Sequence, residues 1–259
     1  MKGNKGKSAP RRDLAIDPKT SAPKHEKPVA PKDKPKRRLC GLLQRKEKWV
    51  LSWRGRFVVG GLFAVLALTF ILKVHPFLAE TDRVETQYLV IEGWVPNYAL
   101  EEGIAEFKSK PYVKIFTVGA DPLTGVNIEP EDSISFEAFK RLKWLGVGPD
   151  KMQAVPAHIK YRNRTYESAL ALKKWVNENH VPMTNFNLVT LGAHSRRSRL
   201  LFEKAFAGEA QVGIISVQHR EYDPKHWWKY SEGVKEVIGE GVGYIYARFF
   251  FHPNGNEDY

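Results

Sequence analysis

Sixteen consecutive residues without a charge, Phe57 to Leu72, constrain this chain more than any other feature. Lys73 interrupts the run, and Val74 to Ala79 resumes it. A lysine there can lay its stem along apolar surface and leave its ammonium among lipid headgroups. The whole stretch, residues 57–79, is then long enough to cross a bilayer as a helix. It lacks the one-sided period of a half-buried surface helix. A cleaved secretory signal fits less well, because 56 residues precede the run and no small-x-small site stands near Phe77-Leu78-Ala79. The sequence therefore predicts an uncleaved single-pass anchor with the lipid bilayer as its partner.

Flanking charge predicts the orientation. Arg37, Arg38, Arg45, Lys46, Lys48, Arg54 and Arg56 precede the run, whereas Arg83 is the only lysine or arginine in the twenty residues after Lys73. The positive-inside rule then puts the N-terminus in the cytoplasm and the C-terminal part outside, across an inner (plasma) membrane.

The formal net charge of +12 follows the same division. Residues 1–56 hold 18 Lys and Arg against 5 Asp and Glu, and the remainder holds 23 against 24. The excess lies in the tail, so it points to anionic lipid headgroups rather than to nucleic acid. Residues 1–38, rich in Lys, Pro, Ser and Asp, carry too few apolar side chains to offset their ordering entropy and read as disordered. Residues 39–56 read as a short basic amphipathic piece. Cys40, the only cysteine, forbids an internal disulfide and reads as an inert thiol.

From residue 80 the pattern is that of one α/β domain. Short apolar runs at Tyr88–Ile91, Val113–Val118, Met152–Val155, Asn187–Leu191 and Val212–Val217 read as strands. Amphipathic stretches at Tyr98–Ser109, Ser133–Leu145, Thr165–Asn179, Ser195–Phe206 and about Ser231–Phe250 read as helices. Asp132 or Ser133 can cap the second of these, Gly146 can end it, and Thr165 reads as the cap of the third. Such alternation predicts a mostly parallel five-stranded sheet with helices on both faces. In such a sheet, ligands sit at the carboxyl ends of the strands.

The loops at that edge hold Glu92, Gly93 and Trp94; Asp121; His158, Lys160, Arg162, Arg164 and Thr165; Ala193 to Arg197; and His219 to Tyr222. Arginine forks and helix N-termini suit an anionic ligand, although Arg199 and Glu203 stand at the spacing of an ordinary surface pair. His194 is the candidate acid or base, with Glu92, Asp121 or Glu167 as partner. Ser195 lacks the Gly-x-Ser-x-Gly setting of a nucleophile and cannot readily bond its own neighbour His194. No metal-ligand spacing, phosphate-binding Walker loop or Gly-x-Gly-x-x-Gly stands out. Trp227-Trp228 reads as core, or as packing toward the membrane.

The order of these pieces resembles the YdcF/SanA/ElyC-like family over about residues 86–251. The resemblance rests on Tyr88-Leu89-Val90-Ile91, Lys114 to Gly119, Leu145 to Asp150, Arg162-Asn163-Arg164-Thr165-Tyr166-Glu167-Ser168-Ala169, Leu188 to Arg197, and Lys235-Glu236. It implies a Rossmann-like domain and, for anchored members, a place in the bacterial envelope. It implies pocket positions at Thr165, Glu167, His194, Arg197 and Glu236. For a soluble member it implies S-adenosylmethionine binding. Two departures leave room for a different ligand: Glu92-Gly93-Trp94-Val95-Pro96 replaces a glycine-rich loop, and Arg164 replaces an asparagine.

Three functions are thus expected in competition. The first is an envelope-biogenesis factor that binds an anionic glycan or lipid-pyrophosphate through Glu92, Arg162, Arg164, Thr165, His194, Arg197 and Glu236. The second is a hydrolase or transferase on such a ligand, with His194 and Glu167 as catalytic residues. The third is a nucleotide or S-adenosylmethionine module, which needs a cytoplasmic domain. The sequence assigns no cofactor.

Overall fold

The computed structural model describes residues 37–38, 43–44, 50–120, 133–157 and 163–253. Two compact units divide after Ser52. In the first, Arg37–Arg38 pairs antiparallel with Leu43–Gln44, a ribbon the sequence reading does not anticipate. The rest of the expected disordered tail, with Cys40, lies outside the described residues.

The second unit opens with helix α1, Trp53–Leu78, long and apolar enough to cross a membrane. Helix geometry extends the expected span four residues upstream, to take in Arg54 and Arg56. Most of its side chains are exposed, from Phe57 to Leu72. Its last turns are not. Leu78 and His75 are buried, and the Ile71 carbonyl accepts the Trp227 indole N–H at 2.9 Å.

Five strands follow: β1 (Tyr88–Glu92), β2 (Lys114–Ala120), β3 (Met152–Ala157), β4 (Asn185–Leu191) and β5 (Gln211–Val217). All pair in parallel, in the spatial order β3-β2-β1-β4-β5. That is the Rossmann order, with its switch point between β1 and β4. Helices α2 (Asn97–Ser109), α3 (Ile134–Trp144), α4 (Arg164–Glu178), α5 (Ser195–Phe206) and α6 (Ser231–Phe249) complete the domain. The five expected strands and five expected helices all form, with no end shifted by more than two residues.

Strand periodicity sorts the core into two layers. Leu89 and Ile91 face Leu100, Ile104 and Leu142 of α2 and α3. Val90, one residue out of phase, faces Leu172, Leu201 and Phe202 of α4 and α5. Phe116, Phe186 and Phe202 are fully buried in that second layer. Each contributes roughly 2–3 kcal/mol by leaving water. Glu92 has the parity of Val90, so β1 delivers its carboxylate to the α4/α5 side.

Local signals fix the ends. The Ser133 hydroxyl accepts the Phe136 N–H at 3.3 Å and caps α3, and Gly146 follows its end at φ +88°. Thr165 is not the cap of α4: Asn163 takes that position, without a side-chain bond, because the helix begins one residue early at Arg164. Gly93 and Gly119 let the start of α3 approach β1 and β2. A Cβ on Gly93 would lie 2.6 Å from the Ile134 carbonyl oxygen. Gly93→Ala is therefore expected to lower stability by about 1–3 kcal/mol. A urea midpoint unchanged from the parent would refute that contact.

The candidate acid–base cleft

The cleft forms where β1 and β4 part. Parity brings the Glu92 carboxylate to the end of β1, on the side of α5. There it is 3% exposed. Thr190, at the end of β4, donates its hydroxyl to Glu92 Oε2. Ser198 donates to the same carboxylate at 3.1–3.2 Å from one turn inside α5.

His194 is placed by the turn Gly192–His194, which leads into α5. Gly192 holds φ +49°, where a side chain is strained, and a Cβ there would stand 2.6 Å from Glu236 Oε1. The Ser195 hydroxyl donates to the Gly192 carbonyl at 2.7 Å and locks the turn. That bond and its complete burial occupy Ser195 structurally.

The His194 ring then lies between two carboxylates. Nδ1 is 3.0 Å from Glu240 Oε1, and Nε2 is 3.7 Å from Glu92 Oε2. Arg197 closes the array by gripping Glu240 with two N–H groups, at 2.6 and 3.1 Å. Arg197 Nη2 also stands 2.9 Å from Nδ1. In the imidazolium both ring nitrogens carry protons, so Nδ1–H donates to Glu240, and the two cations meet around one shared carboxylate.

Electrostatics fixes these charge states. Burial pushes the His194 pKa down, but the Glu92 and Glu240 carboxylates outweigh it and hold it up at about 9. Burial pushes Glu240 up, but His194 and Arg197 hold it at about 2. Burial opposes Glu92 too, and the His194 charge still brings it below the usual range. At neutral pH the array is therefore carboxylate–imidazolium–carboxylate. Nε2 is buried, and at 3.7 Å from Glu92 it makes an ion pair without a hydrogen bond. Among the described residues it has no hydrogen-bond partner. The Trp94 ring stands edge-on against this histidine, centroids 5.0 Å apart.

Around the array opens a cleft of about 410 Å³. Glu92, Trp94, Arg164, Thr165, Ser168, His194, Arg197 and Glu240 line it with Gly119 and Ile134. Folding thus gathers five of the sequence-derived candidates: Glu92, Arg164, Thr165, His194 and Arg197. Glu167 is buried in the first turn of α4 and is not among the lining residues. Arg162, like Asp121, His158 and Lys160, lies outside the described residues. Glu236 faces away from the cleft. It accepts the Ala193 N–H at 2.9 Å and meets His219 Nε2 at 3.2 Å, and burial raises its carboxyl pKa. His219 in turn stacks on Tyr222 and borders a separate hollow of about 520 Å³.

Several of the edge arginines serve structure. Arg196 bonds the Phe77 carbonyl and pairs with Glu80, and Arg199 bridges Glu80, Asp82 and Glu203. Arg164 is exposed at the cleft mouth and pairs with no acid among the described residues. Sequence reasoning missed Glu240, the carboxylate that orients His194. Its signal was present: Glu236 and Glu240 stand one turn apart on one face of α6.

Fold and site together define a class. It is an α/β domain of Rossmann strand order, joined to one helix able to span a membrane, with a charged acid–base array at its switch point. No family model, no curated protein and no solved structure matches this chain.

Proposed function

We propose that this protein is a membrane-anchored factor of the bacterial cell envelope, of the YdcF/SanA/ElyC-like type. Its extracytoplasmic cleft takes an anionic glycan or lipid-pyrophosphate group, and His194 protonates that group. The observation that carries the reading is the buried His194 imidazolium with Nε2–H left without a hydrogen-bond partner. A histidine held charged near pH 7 is a proton donor to a leaving oxygen and a fixed positive charge beside an anion. Glu240 orients the ring, Glu92 sustains its charge, and Arg164 meets the ligand at the mouth. This favours a hydrolase or transferase over a passive binder.

The test begins with ligand in hand. Full-length protein in phosphatidylcholine vesicles would be titrated with pyrophosphate and with a polyprenyl pyrophosphate. His194→Gln should remove turnover, a loss of at least about a hundredfold, while leaving binding within about tenfold. Equal turnover in the variant would sink the catalytic role.

A second reading keeps one supporting observation, the position of the cleft at the switch point where Rossmann folds hold nucleotides. Against it, Gly93-Trp94-Val95-Pro96 follows β1 in place of the glycine-rich loop with which such folds cradle a nucleotide's phosphates. Paired fusions after Tyr259, to a phosphatase active only outside and a fluorophore active only inside, separate the two. An inside result would move nucleotide or S-adenosylmethionine binding to first place.

A further inference from the structure

Helix α6 has two faces of unlike character. Its inner face carries Glu236 and Glu240 against Ala193 and His194. Its outer face carries Val234, Ile238, Val242, Ile245 and Phe249, each 40–65% exposed. Spacings of four, four, three and four residues align them into one stripe. Scattered exposed apolar residues are ordinary on a soluble domain, but a continuous stripe along a 19-residue helix is not.

The end of α1 meets the middle of α6, beside the stripe. Leu78 Cδ1 lies 3.9 Å from where a Cβ on Gly241 would stand, and the Phe77 and Tyr244 rings are 5.6 Å apart. Trp227 bonds the Ile71 carbonyl, and His75 Nε2 lies 3.2 Å from the Tyr222 hydroxyl. These contacts fix the domain to the helix end. Lys73, five residues before Leu78, marks the headgroup level along α1, so the junction with α6 lies within roughly 8 Å of it. Lys235 and Arg248 flank the stripe and are exposed, placed to reach phosphates while the apolar side chains enter the acyl boundary.

We infer that the outer face of α6 lies in the surface of the bilayer that α1 spans. The domain is therefore seated on the membrane and not suspended above it. The occupant is lipid because the face is continuous with a helix whose own exposed surface is apolar over many turns. This seat holds the His194 array about one helix diameter, roughly 10 Å, from the lipid. The inference rests on the reading that α1 spans.

Spin labels test it on the full chain. In a Cys40→Ser background, Ile238→Cys, Val242→Cys and Ile245→Cys would each carry a nitroxide. The protein would be reconstituted in vesicles of three parts phosphatidylcholine to one part phosphatidylglycerol. Oxygen accessibility relative to a water-soluble nickel chelate should exceed that at a Lys140→Cys control by at least about threefold at all three sites. Leu66→Cys in α1 serves as the anchor reference. If Leu66 reads as lipid and the three α6 sites read as water, the seat is wrong and the anchor stands. If Leu66 also reads as water, the anchor reading itself falls, and the seat with it. Spin–spin broadening at the α6 sites that disappears on dilution with unlabelled protein would assign the face to a second copy and overturn the inference.

Discussion

His194→Ala will lower the folding stability of this protein by about 3–5 kcal/mol, read as a fall in the urea midpoint at pH 6. The magnitude follows from what the substitution leaves behind. Glu92 is completely buried, and Thr190 and Ser198 offer it neutral donors only. Without the imidazolium, its charge is neither solvated nor paired. Glu240 keeps Arg197 and loses the Nδ1–H. Breaking one partner from a buried charge pair costs more than the pair itself contributes, because the remaining charge stays desolvated. Adding Glu92→Gln to His194→Ala should therefore restore about 1–2 kcal/mol, since it removes that stranded charge. A single variant within 1 kcal/mol of the parent, or a double variant no better than the single, would show that the array is not a buried ionic unit.

The second large effect is a dependence of stability on pH with two limbs. His194 is raised from 6.5 unfolded to about 9 folded. Its stabilisation is therefore fully present below pH 6.5 and lost as pH rises through about 9. Glu240 is lowered from 4.5 to about 2, so its contribution is present above pH 4.5 and lost as pH falls through about 2. Glu92 acts in the same acid direction. Both limbs report one set of interactions, so they bound a plateau between about pH 4.5 and 6.5 instead of adding. Each limb spans roughly 3 kcal/mol. Unfolding the parent and His194→Gln across pH 2–10, and plotting the difference, isolates the array from other titrating groups. A flat difference curve would contradict the charged array.

The fold was legible because its signals are local and periodic. Strands such as the one over Tyr88 to Ile91 are short apolar runs, and α3 carries its cap at Ser133 and its stop at Gly146. Asn187 shows where that legibility ends. It sits between Phe186 and Leu188 in the strand, and its side chain exchanges bonds with the Val84 N–H and carbonyl at 2.9 Å, pinning the linker that follows α1. No local pattern announces such a bond across a separation of 103 residues.

The site divides along the same line. Order along the chain put Glu92, His194 and Arg197 at one sheet edge, and the run after Arg56 defined a helix fit for a membrane. Those are consequences of hydrophobic period and chain direction, and the sequence alone determined them. Tertiary packing decided which charges meet. It turned Arg196 and Arg199 into ties for the segment after α1 and brought Glu240 from α6 to His194. It left Glu167 in the base of α4 and Glu236 on the far side of the turn. The physical reason is distance: a buried charge pair leaves no periodic trace when its members stand 46 or 102 residues apart, as Glu240 and Glu92 do from His194.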